Sequence, residues 1–211
     1  MDIDVWIAFL FASTALLIIP GPTILLVLSY ALTQGKETAV ATAAGVALGD
    51  FIAMTASLLG LGALVLTSAA LFTALKYLGA AYLIYLGIML IRHASDSSLA
   101  SPEIDTKASP KITIFTHAAT VTALNPKSIV FFIAFVPQFI NTEKPLLVQF
   151  VVLIVTFVSL ATINAISYAL VANKLRQQIA KPAILTGMSR IGGAALIGMG
   201  LVTAVFRQSS A

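Results

Sequence analysis

The sequence contains no cysteine, which rules out disulfides and thiolate metal sites and leaves the redox compartment unreadable. Charge is scarce as well. Only 9% of the 211 residues are charged, against about 25% in a soluble globular domain, whose surface must be solvated. Catalytic signatures are missing too. There is no His-Glu-x-x-His, no Gly-x-Ser-x-Gly, no Walker-type loop and no pair of nearby intramembrane carboxylates. An enzyme is not expected, nor is direct ATP drive within the chain, a cofactor or a bound metal. The net charge of +4 is not a nucleic-acid signal at this composition, and no nucleic-acid partner is expected. A cleavable signal peptide is not expected either, because Met1-Asp2-Ile3-Asp4 lacks a positive leading region.

What remains is apolar. Hydrophobic residues make up 59% of the chain and mean hydropathy is +1.02. The apolar residues gather in runs of about 20, the length at which a helix crosses about 30 Å of hydrocarbon. Runs extend over about 5–32, 38–66, 71–91, 112–140, 146–172 and 183–206, with a polar stretch at about 92–111. These predict an all-α, polytopic bundle of six transmembrane helices with lipid around it. The whole chain, 1–211, then forms a single membrane domain, divided into a first half (about 1–95), a linker (about 92–111) and a second half (about 112–211).

Two of the runs are interrupted. Pro20-Gly21-Pro22 breaks the first and Asn125-Pro126 breaks the fourth, which ends at Pro137. The halves also resemble each other. Each break is followed by a short residue and an apolar stretch, and Lys76-Tyr77-Leu78-Gly79-Ala80-Ala81 aligns with Arg190-Ile191-Gly192-Gly193-Ala194-Ala195. The alternative is that small residues are simply common in membrane helices. Three spans per half is an odd number, so the halves enter the membrane in opposite senses. Inverted repeats with helices broken at matching places point to a secondary transporter with a midplane site. Proline removes an amide donor, and irregular backbone at membrane depth is tolerated only where protein or a water-filled cavity satisfies it. The helix restarting after each break presents amides and a positive dipole end suited to a carboxylate.

Lys and Arg outside the spans set the orientation. With the N-terminus outside, Lys36, Arg92, Lys107, Lys111, Lys174, Arg176, Lys181 and Arg190 lie inside, and Lys76, Lys144 and Arg207 lie outside. Both termini are therefore expected outside.

Asp50 sits in the middle of the second span, with no other charge between Glu37 and Lys76. A carboxylate there is costly and points to function: it could pair with a substrate ammonium or carry a proton. The alternatives are a permanent pair with Lys127 or a bond to a backbone carbonyl. Asn125 could bind a ligand or cap the restarting helix, and Lys127 could meet a carboxylate or snorkel to the interface. Asn164 holds roughly the place in the fifth span that Asp50 holds in the second, as a pocket group or an interhelical bond. Gly45 and Gly49 follow Ala41 on a small-residue face suited to close helix packing. Lys76 and Arg190 read as interface anchors and His117 as a bonded structural residue. Tyr77, Tyr82 and Tyr85 read as packing or interface residues, and Trp6 as an outer-interface residue. The expected site is where Pro20, Gly21, Pro22 and Thr23 meet Asn125, Pro126 and Lys127, beside Asp50 and Asn164.

The chain resembles the LysE/RhtB family of bacterial amino-acid exporters. The resemblance rests on Pro20-Gly21-Pro22 with the run into Gln34-Gly35, Gly45 to Gly49-Asp50, and Leu75-Lys76-Tyr77-Leu78-Gly79-Ala80-Ala81-Tyr82-Leu83. In the second half it rests on Leu124-Asn125-Pro126-Lys127 with Phe131-Phe132, and on Phe135-Val136-Pro137-Gln138-Phe139. It covers nearly the whole chain apart from the central linker. It implies efflux of amino acids or their derivatives across the bacterial cytoplasmic (inner) membrane, energised by the proton gradient, with membrane lipid around the protein and a homo-oligomer left open. The spans hold no acidic residue besides Asp50, which leans the substrate toward a neutral amino acid. The rival readings are a small-ion or metal exporter of the same superfamily, disfavoured by the missing cysteines, and a non-transporting membrane subunit.

Overall fold

A computed structural model describes residues 1–67, 69–92, 109–141, 143–179 and 182–205. The expected linker lies almost wholly outside the described residues, as do Lys107, Lys181 and Arg207, three of the cations that set the expected orientation. All regular structure among the described residues is helical. The helices are α1 (Ile3–Ile18), α2 (Pro22–Gln34), α3 (Ala39–Thr67), α4 (Ala69–Arg92), α5 (Lys111–Ala123), α6 (Pro126–Val130), α7 (Leu146–Ile179) and α8 (Pro182–Val205).

Two stretches of these helices, Lys36–Gly60 and Leu146–Ala172, are each long and apolar enough to cross a membrane, and the number rises to four if each bent pair is one span. The pairs are α1 with α2, bent by 53°, and α5 with the segment from Pro126 to Phe139, bent by 41°. Among described residues α4 and α8 contribute shorter apolar stretches, Tyr77–Arg92 and Arg190–Val205.

Local proline chemistry accounts for both bends. A residue preceding proline is pushed from the helical to the extended region. Ile19 before Pro20 has ψ 115°, Gly21 before Pro22 has ψ −171°, and Asn125 before Pro126 has ψ 111°. Pro22 and Pro126 then occupy the first turn of a new helix, where the missing N–H costs nothing. Pro137 behaves differently and does not end its span. The backbone widens into a π-helical turn at Phe131–Phe135, then tightens into a 3₁₀ turn at Val136–Phe139, so the segment passes Pro137 and stays within the run of about 112–140. A π-turn relieves the clash a proline makes with the preceding turn.

Close backbone contacts give the helix directions. A Cβ on Gly45 would meet Phe115 O at 2.5 Å, and one on Gly49 would meet Ala119 O at 2.6 Å, so α3 and α5 run parallel. The small-residue face of α3 thus finds its partner in α5. Helix α4 meets α8 in the opposite sense, with Gly87 against Gly193 O at 2.5 Å and Gly200 against Ala80 O at 2.7 Å. Helix α1 runs parallel to α7: the Trp6 indole donates to Thr156 Oγ1 at 3.0 Å, and Asn164 and Tyr168 reach the far end of α1.

The buried core between α1, α7 and the segment after α6 is rich in phenylalanine. Phe9, Phe139, Phe135, Phe131, Phe157 and Phe132 form a chain of rings with successive centroids 4.8–5.9 Å apart, at the edge-on and offset distances favoured by aromatic pairs. Outward, α4 exposes Tyr77, Leu78, Tyr82 and Tyr85, which places the three tyrosines on the surface rather than at the expected site. His117 accepts or donates through Nδ1 to the Tyr30 hydroxyl at 2.9 Å, the bonded structural role expected of it.

Candidate functional site between the two helix breaks

A helix ends with four carbonyls that have no partner within it. For α1 these are Leu16, Leu17, Ile18 and Ile19 if the cap residue is counted, and each receives a side-chain donor. Lys127 Nζ donates to Leu16 O at 2.8 Å and to Ile19 O at 2.7 Å. Asn164 Nδ2 donates to Leu17 O at 2.9 Å, and the Tyr168 hydroxyl to Ile18 O at 2.8 Å. The cation also lies at the negative end of the α1 dipole, where positive charge is stabilised.

The second break is tied to the first. Asn125 caps α6, its Oδ1 accepting from Lys127 N at 3.1 Å, while its Nδ2 donates to Thr23 Oγ1 at 3.0 Å. Thr122 Oγ1 also donates to Thr23 Oγ1, at 3.3 Å. Gly21 lies against the lysine: a Cβ there would meet Lys127 Cδ at 3.4 Å and Nζ at 3.6 Å, ordinary contact distances. The two proline breaks therefore interlock through Thr23, Asn125, Lys127 and Gly21.

Asp50 faces this junction from α3. It is 2% exposed, and its Oδ1 has no hydrogen-bond partner. The permanent pair with Lys127 is not formed, since the ion pair between described residues is Asp2–Lys144, at 2.7 Å. A buried carboxylate oxygen left without a donor is expensive, and such atoms mark places where a ligand, water or proton completes the set.

Gly21, Thr23, Asp50, Asn125, Lys127 and Asn164 line one cavity of about 30 Å³, with Leu16, Leu17, Ile19, Ile24, Val46, Ser128 and Ala161. Of the nine residues expected at the site, six line it. Pro20, Pro22 and Pro126 do not, and contribute by setting the backbone of the breaks. Tyr168 was missed. Its signal was available, because it stands four residues after Asn164 and so on the same helix face. The α1 carbonyls as acceptors were missed also, although a helix stopped by Pro20 must leave them. Among the described residues no group of three His, Cys, Asp or Glu side chains could hold a metal.

Comparison with known proteins adds to this geometry. The family described as LysE type translocator matches residues 14–206. An uncharacterized membrane protein of Vibrio cholerae is 33% identical over 206 residues, covering 97% of this chain and 98% of the relative. The homoserine/homoserine lactone efflux protein of Salmonella typhimurium is 32% identical over 209 residues, 99% of this chain and all of the relative. The leucine efflux protein of Salmonella choleraesuis is 34% identical over 137 residues, 65% of this chain and 64% of the relative. No solved structure matches the chain.

Proposed function

The chain belongs to the LysE type translocator family, and from that membership we propose that it is a secondary-active exporter of neutral amino acids or their derivatives, coupled to protons. Translocators are transporters and not enzymes, in keeping with the absence of catalytic motifs. Relatives named for homoserine, homoserine lactone and leucine efflux support a neutral substrate, as does a site with a single carboxylate. The substrate ammonium is to be held at the carbonyl end of α1, beside Asp50 as the charged or proton-carrying group, and its carboxylate by the amides opening α2 at the other side of the break.

The observation carrying this reading is the junction itself: two interlocked helix breaks enclosing a buried carboxylate whose Oδ1 has no partner. A membrane protein bears that cost where a site needs it. We further assign six spans in an inverted three-plus-three repeat, an inner-membrane location and both termini outside. Parallel α3 and α5, parallel α1 and α7, and antiparallel α4 and α8 match the alternation that six successive spans require. Alternating access then follows from one bundle of helices rocking against the rest around the junction.

The test is efflux of L-leucine and L-homoserine from proteoliposomes with and without an inward proton gradient. Replacing Asp50 by Asn removes the charge but keeps the shape. A charge-assisted hydrogen bond is worth about 1.5–3 kcal/mol, so gradient-driven efflux should fall roughly 10- to 150-fold. Undiminished, gradient-stimulated efflux by D50N would remove Asp50 from coupling.

A further inference from the structure

We propose that Lys127 is a tethered stand-in for the substrate's ammonium: the Leu16 and Ile19 carbonyls form an ammonium subsite that Lys127 holds until a primary-ammonium substrate displaces it. The inference rests on the exporter reading above and names the chemical handle that exporter requires.

Three observations lead to it. The first is the unequal holding of the four α1 carbonyls. Those of Leu17 and Ile18 are bound by Asn164 and Tyr168, which stand one turn apart on α7, a helix packed along α1. Those of Leu16 and Ile19 are bound by one primary ammonium, on a flexible four-carbon stem that comes from the opposite break. Two carbonyl oxygens at 2.7 and 2.8 Å are the surroundings that any primary ammonium would find there.

The second is a mismatch of donors and acceptors. Leu16 O, Ile19 O and Asp50 Oδ1 belong to residues on the same cavity, yet the only cationic side chain lining it serves the two carbonyls, and Asp50 Oδ1 is left without a partner. A second ammonium on the carbonyls would release Lys127, which then has Asp50 as its next acceptor. All three oxygens would be satisfied.

The third is size. The cavity, at about 30 Å³, has room for a water or two beside Lys127, since each water needs about 10–15 Å³ on that measure. Lys127 is the longest flexible side chain in the lining, and the wall behind it is Gly21, which has no Cβ. Withdrawal of this one side chain opens the space where an ammonium would be bound.

The substrate class follows. A primary ammonium is required, while the carboxylate can be esterified, closed into a lactone or absent. Binding is read by the shift in melting temperature of the purified full-length wild type with L-leucine, 3-methylbutylamine or N-acetyl-L-leucine, since a ligand that binds only the folded state stabilises it. The leucine and the amine should raise the melting temperature and the N-acetyl acid should not. Efflux of leucine from proteoliposomes should likewise be inhibited by the amine only. Protection or inhibition by N-acetyl-leucine equal to the amine's overturns the subsite and leaves the exporter standing. Protection by the amine with no efflux of any amino acid supports the subsite and removes the exporter.

A variant gives a second measurement. A tethered competitor lowers apparent affinity by the fraction of time it vacates the subsite, so Lys127→Met should lower the KM for leucine roughly threefold or more. If Lys127 instead binds the substrate carboxylate, K127M raises the KM while leaving the amine's inhibition unchanged, and the proposal fails. Should K127M not fold, the wild-type ligand series decides alone.

Discussion

Replacing Asn164 by leucine should cost more stability than replacing it by alanine, the reverse of the order usual for an apolar core. The reason is the closed donor count at the end of α1. Four carbonyls need partners and four donor contacts supply them, from Lys127, Asn164 and Tyr168. Among the described residues Leu17 O accepts from no other side chain, so losing the Asn164 amide at 2.9 Å orphans it. An orphaned buried carbonyl costs about 1–3 kcal/mol. Alanine, however, enlarges the adjoining cavity beyond its present 30 Å³ or so, and a water needs only about 10–15 Å³ and two to four polar partners. Asp50 and Leu17 line that same cavity, and a bridging water recovers most of a direct bond at about 0–2 kcal/mol of immobilisation. Leucine fills the space and denies the water. The expectation is about 1–3 kcal/mol for Asn164→Leu and roughly half that for Asn164→Ala, measured by reversible denaturant unfolding in micelles. Adding Tyr168→Phe to either variant should be non-additive, since both donors hold one helix end. Equal losses for leucine and alanine, or a gain on leucine, would refute the donor count.

Glycine positions sort by the space around them. Gly49→Leu would drive a side chain into Ala119 O, already 2.6 Å from an ideal Cβ, and should cost upward of about 1–3 kcal/mol; Gly60→Ala meets nothing within 4 Å and should gain about 0.5–1 kcal/mol from helix propensity. The yield of monodisperse protein on size exclusion checks both. At the N-terminus, Lys144 holds the Asp2 carboxyl below its ordinary 3.8, through a hydrogen bond and charge attraction. Because the folded value is the lower one, the link stabilises above the ordinary carboxylate range and is lost as pH falls through the lowered value. Unfolding followed between pH 5 and 2 should show this component in low salt, and Lys144→Ala should abolish it; high salt should weaken it.

The breaks and their joint location were legible in the chain because proline acts locally. Pro20, Pro22 and Pro126 dictate the backbone of the residue before them, so Ile19, Gly21 and Asn125 are extended whatever surrounds them. Asp50 was legible for the opposite reason: a carboxylate among apolar neighbours announces itself by cost. Lys127 was harder. A lysine near a break is compatible with a carboxylate ligand, a snorkel or a carbonyl clamp, and only the approach of α1 selects the last. Tyr168 is marked only by its spacing, four residues after Asn164 on the same helix face, since tyrosines are as common at interfaces. Pro137 was misjudged because a π-turn can absorb a proline that an α-helix cannot, and whether it does depends on how Phe131, Phe132 and Phe135 pack against Phe157.

The crossing of α4 and α8 has a mechanical meaning. Gly87 lies against the carbonyl of Gly193, Gly193 against that of Gly87, and Gly200 against that of Ala80. Each of these sites also holds an isoleucine of the facing helix: Ile197 against Gly87, Ile91 against Gly193 and Ile84 against Gly200, 2.5–2.7 Å from the ideal Cβ. The glycines are therefore sockets filled by branched side chains, and interlocked side chains resist sliding because each displacement forces rotamer changes across the interface. The crossing is a pinned joint, and in the proposed exporter α4 and α8 travel as one body.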